Sequence, residues 1–148
     1  MAPNYAIATR YGAQAQRETF LLTNICPQRP NLNQQVWRHL EDLVANTYAN
    51  KLEEIWVVTG PVFDEQRELL ASGIEIPDAF YQIILDEYAG RYRALAFIIE
   101  QDVGSRVPLE RFLVSVDSVE YVTGIDFFHE LRDDLENALE AVTPKTLW

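Results

Sequence analysis

Asn33 and Glu41 are the two side chains here whose types and spacing reach furthest toward chemistry, with Trp37 midway between them. Steps of four residues on a helix place Asn33 and Glu41 two turns apart and rotated by only ~80° about its axis. An amide oxygen and a carboxylate would then be presented toward one side. Plainer roles are open to each: Asn33, or Asn31, suits an N-cap after Pro30, and a lone helix glutamate is usually solvated. Asn24, after Leu21 and Leu22, offers a neutral polar contact or simply satisfies a turn. Arg10 and Arg17 are candidate anion contacts. With Arg29 and Arg38 they fall in the first 40 residues, where Glu18 is the only carboxylate before Glu41.

The rest of the chain sets limits on that chemistry. Its 12 basic residues face 23 acidic ones, a formal charge of −11. Affinity for a phosphate backbone comes mostly from Lys and Arg displacing counterions, so this balance opposes a nucleic-acid reader. Net charge governs long-range steering, however, and permits a local basic groove. Acid gathers downstream, at Asp64–Glu68, Asp117–Glu120 and Glu130–Glu140. Cys26 stands alone, which excludes an internal disulfide and a cysteine zinc cage. His39 and His129 lie far apart without ligand-like spacing. No run reaches the roughly 18 apolar residues of a membrane span, and the first residues lack the regions of a signal peptide.

The elements that would position these residues are read from periodicity. Leu32, Val36, Trp37, Leu40, Leu43, Val44 and Tyr48 keep three-and-four spacing and predict a helix. Upstream, Pro3, Gly12, Pro27 and Pro30 punctuate a loop in which Thr19–Leu22 is a short strand candidate. Ile55–Thr59 predicts a buried strand ending at Gly60-Pro61. Ala79–Leu85 and Arg93–Glu100 predict an antiparallel hairpin with a loop of a few residues. Ser115 should cap a helix that Gly124 stops, and Leu131, Leu135, Ala138, Leu139 and Val142 mark a last helix ended by Pro144. This order predicts one α+β domain over residues 1–148, with a mostly antiparallel sheet.

Residues 20–63 also carry a family pattern. They read Asn24-Ile-Cys-Pro-Gln28, then Leu32-Asn33-x-x-x-Trp37-x-x-Leu40-Glu41, then Val58-Thr-Gly60-Pro-Val-Phe63. Pro77-Asp-Ala-Phe-Tyr81, Ala96–Ile99, Val114-Ser-Val-Asp117 and Thr123-Gly-Ile-Asp-Phe-Phe128 follow in order. The set resembles the DNA/RNA non-specific endonucleases of the ββα-metal type, over essentially the whole chain. The resemblance implies hydrolysis of phosphodiester bonds in DNA and RNA without sequence or sugar preference, and a ββα-metal fold. It assigns Asn33 as the one direct protein ligand of a hydrated Mg²⁺, with Mn²⁺ as a possible substitute. Glu41 would orient the ion's waters and Asn24 would lie beside the scissile phosphate; Arg10 and Arg17 are candidate phosphate contacts by their charge, although unpaired surface arginines are common.

Four departures qualify those expectations. The family's general-base histidine belongs to an Asp-Arg-Gly-His segment commonly followed by Met/Leu-Ala-Pro, whereas this chain opens Met1-Ala2-Pro3. The resemblance therefore implies an N-terminal truncation and little or no activity in these 148 residues. Ala45 occupies a position where the family often has an arginine one turn after the glutamate. Cys26 replaces the frequent Ser or Thr, and His129 stands where proline is common. The alternative is a non-catalytic metal- or nucleic-acid-binding remnant or subunit. A homodimer is compatible with the family, and intact bacterial relatives are typically periplasmic or secreted.

Overall fold

The computed structural model describes residues 4–21 and 24–148. Its centre is a four-stranded antiparallel sheet, with strands β1 (Ile55–Val62), β4 (Ala79–Tyr88), β5 (Arg91–Glu100) and β6 (Leu113–Val114) lying side by side in that order. Two short strands, β2 (Glu68–Leu69) and β3 (Glu75–Ile76), pair separately beyond β1. Helix α1 (Asn4–Glu18) precedes the long helix α2, which occupies residues 30–51. Helices α3 (Val116–Thr123) and α4 (Asp133–Glu140) close the chain. The α+β, antiparallel architecture is the one expected. No helix among the described residues is long and apolar enough to cross a membrane.

The two inner strands are buried on both sides because helices cover both faces of the sheet. Phe80, Ile84, Leu95, Phe97 and Ile99 face α2 and meet Leu32, Val36, Trp37 and Leu40. Their neighbours in alternation, Tyr81, Ile83 and Ala96, face the other way, onto Val116 and Val119 of α3. One-residue alternation thus feeds two cores, and β4 reads as a nearly continuous apolar run. Each large side chain buried there contributes roughly 1.5–3 kcal/mol. The hairpin turn is tighter than its sequence suggests. Ala89 and Gly90, at φ 53° and 74°, form the two-residue mirror-image turn whose twist matches the strands.

Several elements differ from expectation. The N-terminal stretch read as loop is helical from Asn4 to Glu18, broken only at Gly12, where φ is 84°. Alanines, glutamines and arginines are strong helix formers, but this polar helix lacks the apolar stripe that periodicity detects. Thr19–Leu21 is a turn instead of a strand; Leu22 and Met1-Ala2-Pro3 lie outside the described residues. β1 continues through Gly60-Pro61 to Val62. Pro61 is tolerated because β1 is the outer strand of its sheet, where a missing N–H breaks no interior ladder. Gly60 is required by contact: a Cβ there would lie 2.8 Å from the Tyr81 ring directly across the ladder. The last helix covers only Asp133–Glu140, with Leu139 buried but Leu135 and Val142 exposed.

Candidate metal and phosphate site

The start of α2 is pinned by Gln101 at the end of β5. Its buried amide accepts from the Arg29 backbone N–H at 2.9 Å and donates to the Pro27 carbonyl at 2.8 Å. Arg29 adds ion pairs to Asp102 and Glu68. Pro30 then opens the helix, where its absent N–H has no intrahelical partner to lose. Asn33 already lies inside the first turn, its N–H bonded to the Arg29 carbonyl at 2.9 Å. Neither Asn31 nor Asn33 caps the helix with its side chain, so the expected capping role is overturned. The earlier helix start explains it.

Asn33 is exposed, and its Nδ2 donates to Gln28 Oε1 at 2.6 Å. Oδ1 therefore has no hydrogen-bond partner among the described residues. Gln28, held in the clasped loop, fixes the amide's orientation; its own buried Nε2 is without a partner. Periodicity could not have identified Gln28 or Gln101, because both act through the loop–sheet contact. The segment Leu32–Trp37 has π-helical turns, as does Val44–Tyr48.

Glu41 sits on the same helix, half-buried, with Oε1 accepting from Trp37 Nε1 at 3.1 Å. Burial pushes its carboxyl pKa up, the indole bond partly offsets this, and Asp42 adds to the rise. Trp37 itself is core, edge-on to Phe80 at 5.7 Å between ring centroids, and is unavailable as a stacking platform. Glu41 opens onto a cleft of about 460 Å³ between α1, α2 and β1, lined also by Arg10, Tyr11, Ala45, Thr59 and Gln82. Arg10 reaches across from α1, donating from Nη2 to the Ala45 carbonyl at 3.1 Å. Among the described residues neither Arg10 nor Glu41 takes part in an ion pair.

The other candidates are placed apart from that cleft. Arg17 is exposed at the end of α1 and does not line it. Asn24 is half-buried and braces the preceding turn, with Nδ2 donating to the Thr19 carbonyl at 2.9 Å. His39 and His129 are exposed and line no part of the cleft. Cys26 is partly buried, which pushes its thiol pKa up. The cleft thus brings together one partly dry carboxylate, Glu41, and one guanidinium, Arg10, while the free amide oxygen of Asn33 lies earlier on the same helix and does not line the cleft. That donor set fits a hard cation such as Mg²⁺, which retains most of its waters and takes few protein oxygens.

Residues 1–134 match the family model for DNA/RNA non-specific endonuclease, and the chain belongs to that family. It is 30% identical over 131 residues to human endonuclease G of mitochondria, covering 80% of this chain and 44% of that protein. Nuclease C1 of Cunninghamella echinulata var. echinulata is 30% identical over 145 residues, covering 88% and 56%. A nuclease of Serratia marcescens is 28% identical over 125 residues, covering 81% and 47%. In fold the chain is similar to a chain of the EndoG/EndoGI complex crystal structure, with a TM-score of 0.74 at 24% identity, over 85% of this chain and 57% of that one. The chain spans about half the length of these relatives.

Proposed function

We propose that this chain contributes the metal-binding helix and part of the phosphate-binding cleft of a Mg²⁺-dependent endonuclease that cuts DNA and RNA without sequence or sugar preference. The observation that carries this reading is the pairing on α2. Asn33 Oδ1 is left free by its bond to Gln28, and Glu41, on the same helix, is held by Trp37 at the cleft. Asn33 would ligate the cation directly, and Glu41 would orient its waters by hydrogen bonds. When bound, the ion supplies Lewis-acid polarisation of a phosphate oxygen and charge neutralisation. Arg10 stands over the Ala45 carbonyl, beside the position where the family often carries an arginine. Its guanidinium has further N–H donors to offer a phosphate, so α1 supplies from a distance what Ala45 lacks.

Neither histidine of the chain lines the cleft, so these 148 residues hold no imidazole base there. Absence of a general base typically lowers rate by about 10²–10⁴-fold. The chain alone should therefore relax supercoiled plasmid slowly in Mg²⁺, and an N-terminal extension bearing Asp-Arg-Gly-His should restore speed. Asn33→Ala should abolish cleavage in the extended form. Full activity in extended Asn33→Ala would sink the endonuclease reading. A non-catalytic binding subunit would instead bind single-stranded DNA in low salt with no cleavage in either form.

A further inference from the structure

On the opposite face of the sheet from the cleft, α3 and α4 turn carboxylates toward each other. Asp117, Glu120 and Glu140 form one group whose ligand oxygens all lie within 4.8 Å of one another; Asp126, Glu136 and Glu140 form a second. Glu140 belongs to both. Like charges three or four residues apart on a helix repel, and here two such pairs, Asp117/Glu120 and Glu136/Glu140, also confront each other across helices. None of the five forms an ion pair among the described residues. His129 is near enough to Glu136 to offset part of the repulsion there. Glu120 Oε1 accepts from the Phe127 backbone N–H at 2.9 Å, which fixes the connecting segment beside the cluster.

A second observation is independent of this crowding. Glu140 is only 6% exposed, and its Oε1 is fully buried with no hydrogen-bond partner. Buried carboxylate oxygens are almost always satisfied, and one left bare among four other carboxylates calls for a positive ligand. The donor type also bears on the ion: Ca²⁺ takes about six to eight oxygens, carboxylates among them, in flexible geometry, whereas Mg²⁺ prefers to keep its waters.

We propose that Glu140 is the central ligand of a structural Ca²⁺ site that ties α3 to α4, completed by Asp117 and Glu120 on one side and Asp126 and Glu136 on the other. The site is separate from the cleft on α2 and rests on none of its chemistry. It is tested with CaCl₂ alone, added to chelator-treated protein while thermal unfolding and heats of binding are followed. The melting temperature should rise by roughly 5 °C or more at 1 mM Ca²⁺, and by less with Mg²⁺. Glu140→Gln should remove the response while melting no lower than the metal-free wild type, because it deletes a repelled charge. Asp117→Asn with Asp126→Asn, both at exposed positions, should weaken Ca²⁺ binding at least roughly tenfold. Asn33→Ala should leave the response intact. The proposal is overturned by no Ca²⁺-dependent shift in the wild type, or by a full shift surviving in Glu140→Gln or in the double variant.

Discussion

At the scale of single residues, the candidate site is built by neighbours that carry no reactive group. Gln28 turns the Asn33 amide, and Trp37 holds Glu41. Replacing such orienting partners typically lowers metal affinity or activity 10–100-fold. Gln28→Ala should accordingly weaken Mg²⁺ binding within that range without unfolding the protein, as calorimetric titration would reveal. The Arg10 assignment makes a sharper prediction. Arg10→Ala should slow cleavage, and adding Ala45→Arg should recover much of the loss; no recovery would mean that Arg10 serves only to fasten α1. Gly60 gives a prediction about stability. Tyr81 is buried and edge-on to Phe127 at 5.4 Å, so its ring cannot simply swing away from an added methyl. Gly60→Ala should lower stability by about 1–3 kcal/mol in urea unfolding.

At the scale of elements, legibility followed the source of each signal. The α2 stripe, the Ser115 cap and the Gly124 stop were readable because each depends on local residues. Ser115 Oγ does accept from the Ser118 N–H at 3.2 Å, and Gly124 takes φ 68°. The family motif similarly carried Asn33 and Glu41 to one helix. Helix α1 escaped because it presents no apolar stripe, and its tie to α2 through Arg10 spans 35 residues. β1 was cut short because Gly60-Pro61 reads as a breaker; only its outer position and the Tyr81 ring above it explain the continuation. Cross-strand pairing within the hairpin explains Asp86, which falls between the two predicted strands but is buried in β4 and bonded to Arg93 Nε at 2.7 Å. Arg93 is stacked over Trp148 at 4.3 Å and Tyr88 at 4.7 Å. Asp86→Ala should lower stability by on the order of 3 kcal/mol and loosen the C-terminal segment, detectable as earlier proteolysis there.

At the scale of the whole molecule, acid dominates, and its distribution matters more than its sum. The α3–α4 cluster raises the Glu140 pKa from its ordinary 4.5 to about 7, first through burial and then through Glu120, Glu136, Asp117 and Asp126. A carboxyl that is harder to ionise when folded favours the folded state while protonated. Its contribution is complete below pH 4.5 and is lost as pH rises toward 7. In metal-free buffer the melting temperature should therefore fall between those values, and Glu140→Gln should flatten that slope. The −11 charge bears on substrate too. If Arg10 meets a substrate phosphate as proposed, binding to DNA should weaken as salt rises, and Arg10→Ala should reduce the salt slope by about one contact.

The indole bond to Glu41 also equips the protein with an optical gauge. Excitation drains electron density from the five-membered ring of Trp37, so the neighbouring negative charge stabilises the excited state. Any cation that draws off that charge should move the emission to shorter wavelength. Trp56 lies exposed on β1 and Trp148 beneath the Arg93 guanidinium, and replacing both with phenylalanine would isolate the signal. Occupancy of the cleft would then be visible by colour alone, before any bond in a nucleic acid is cut.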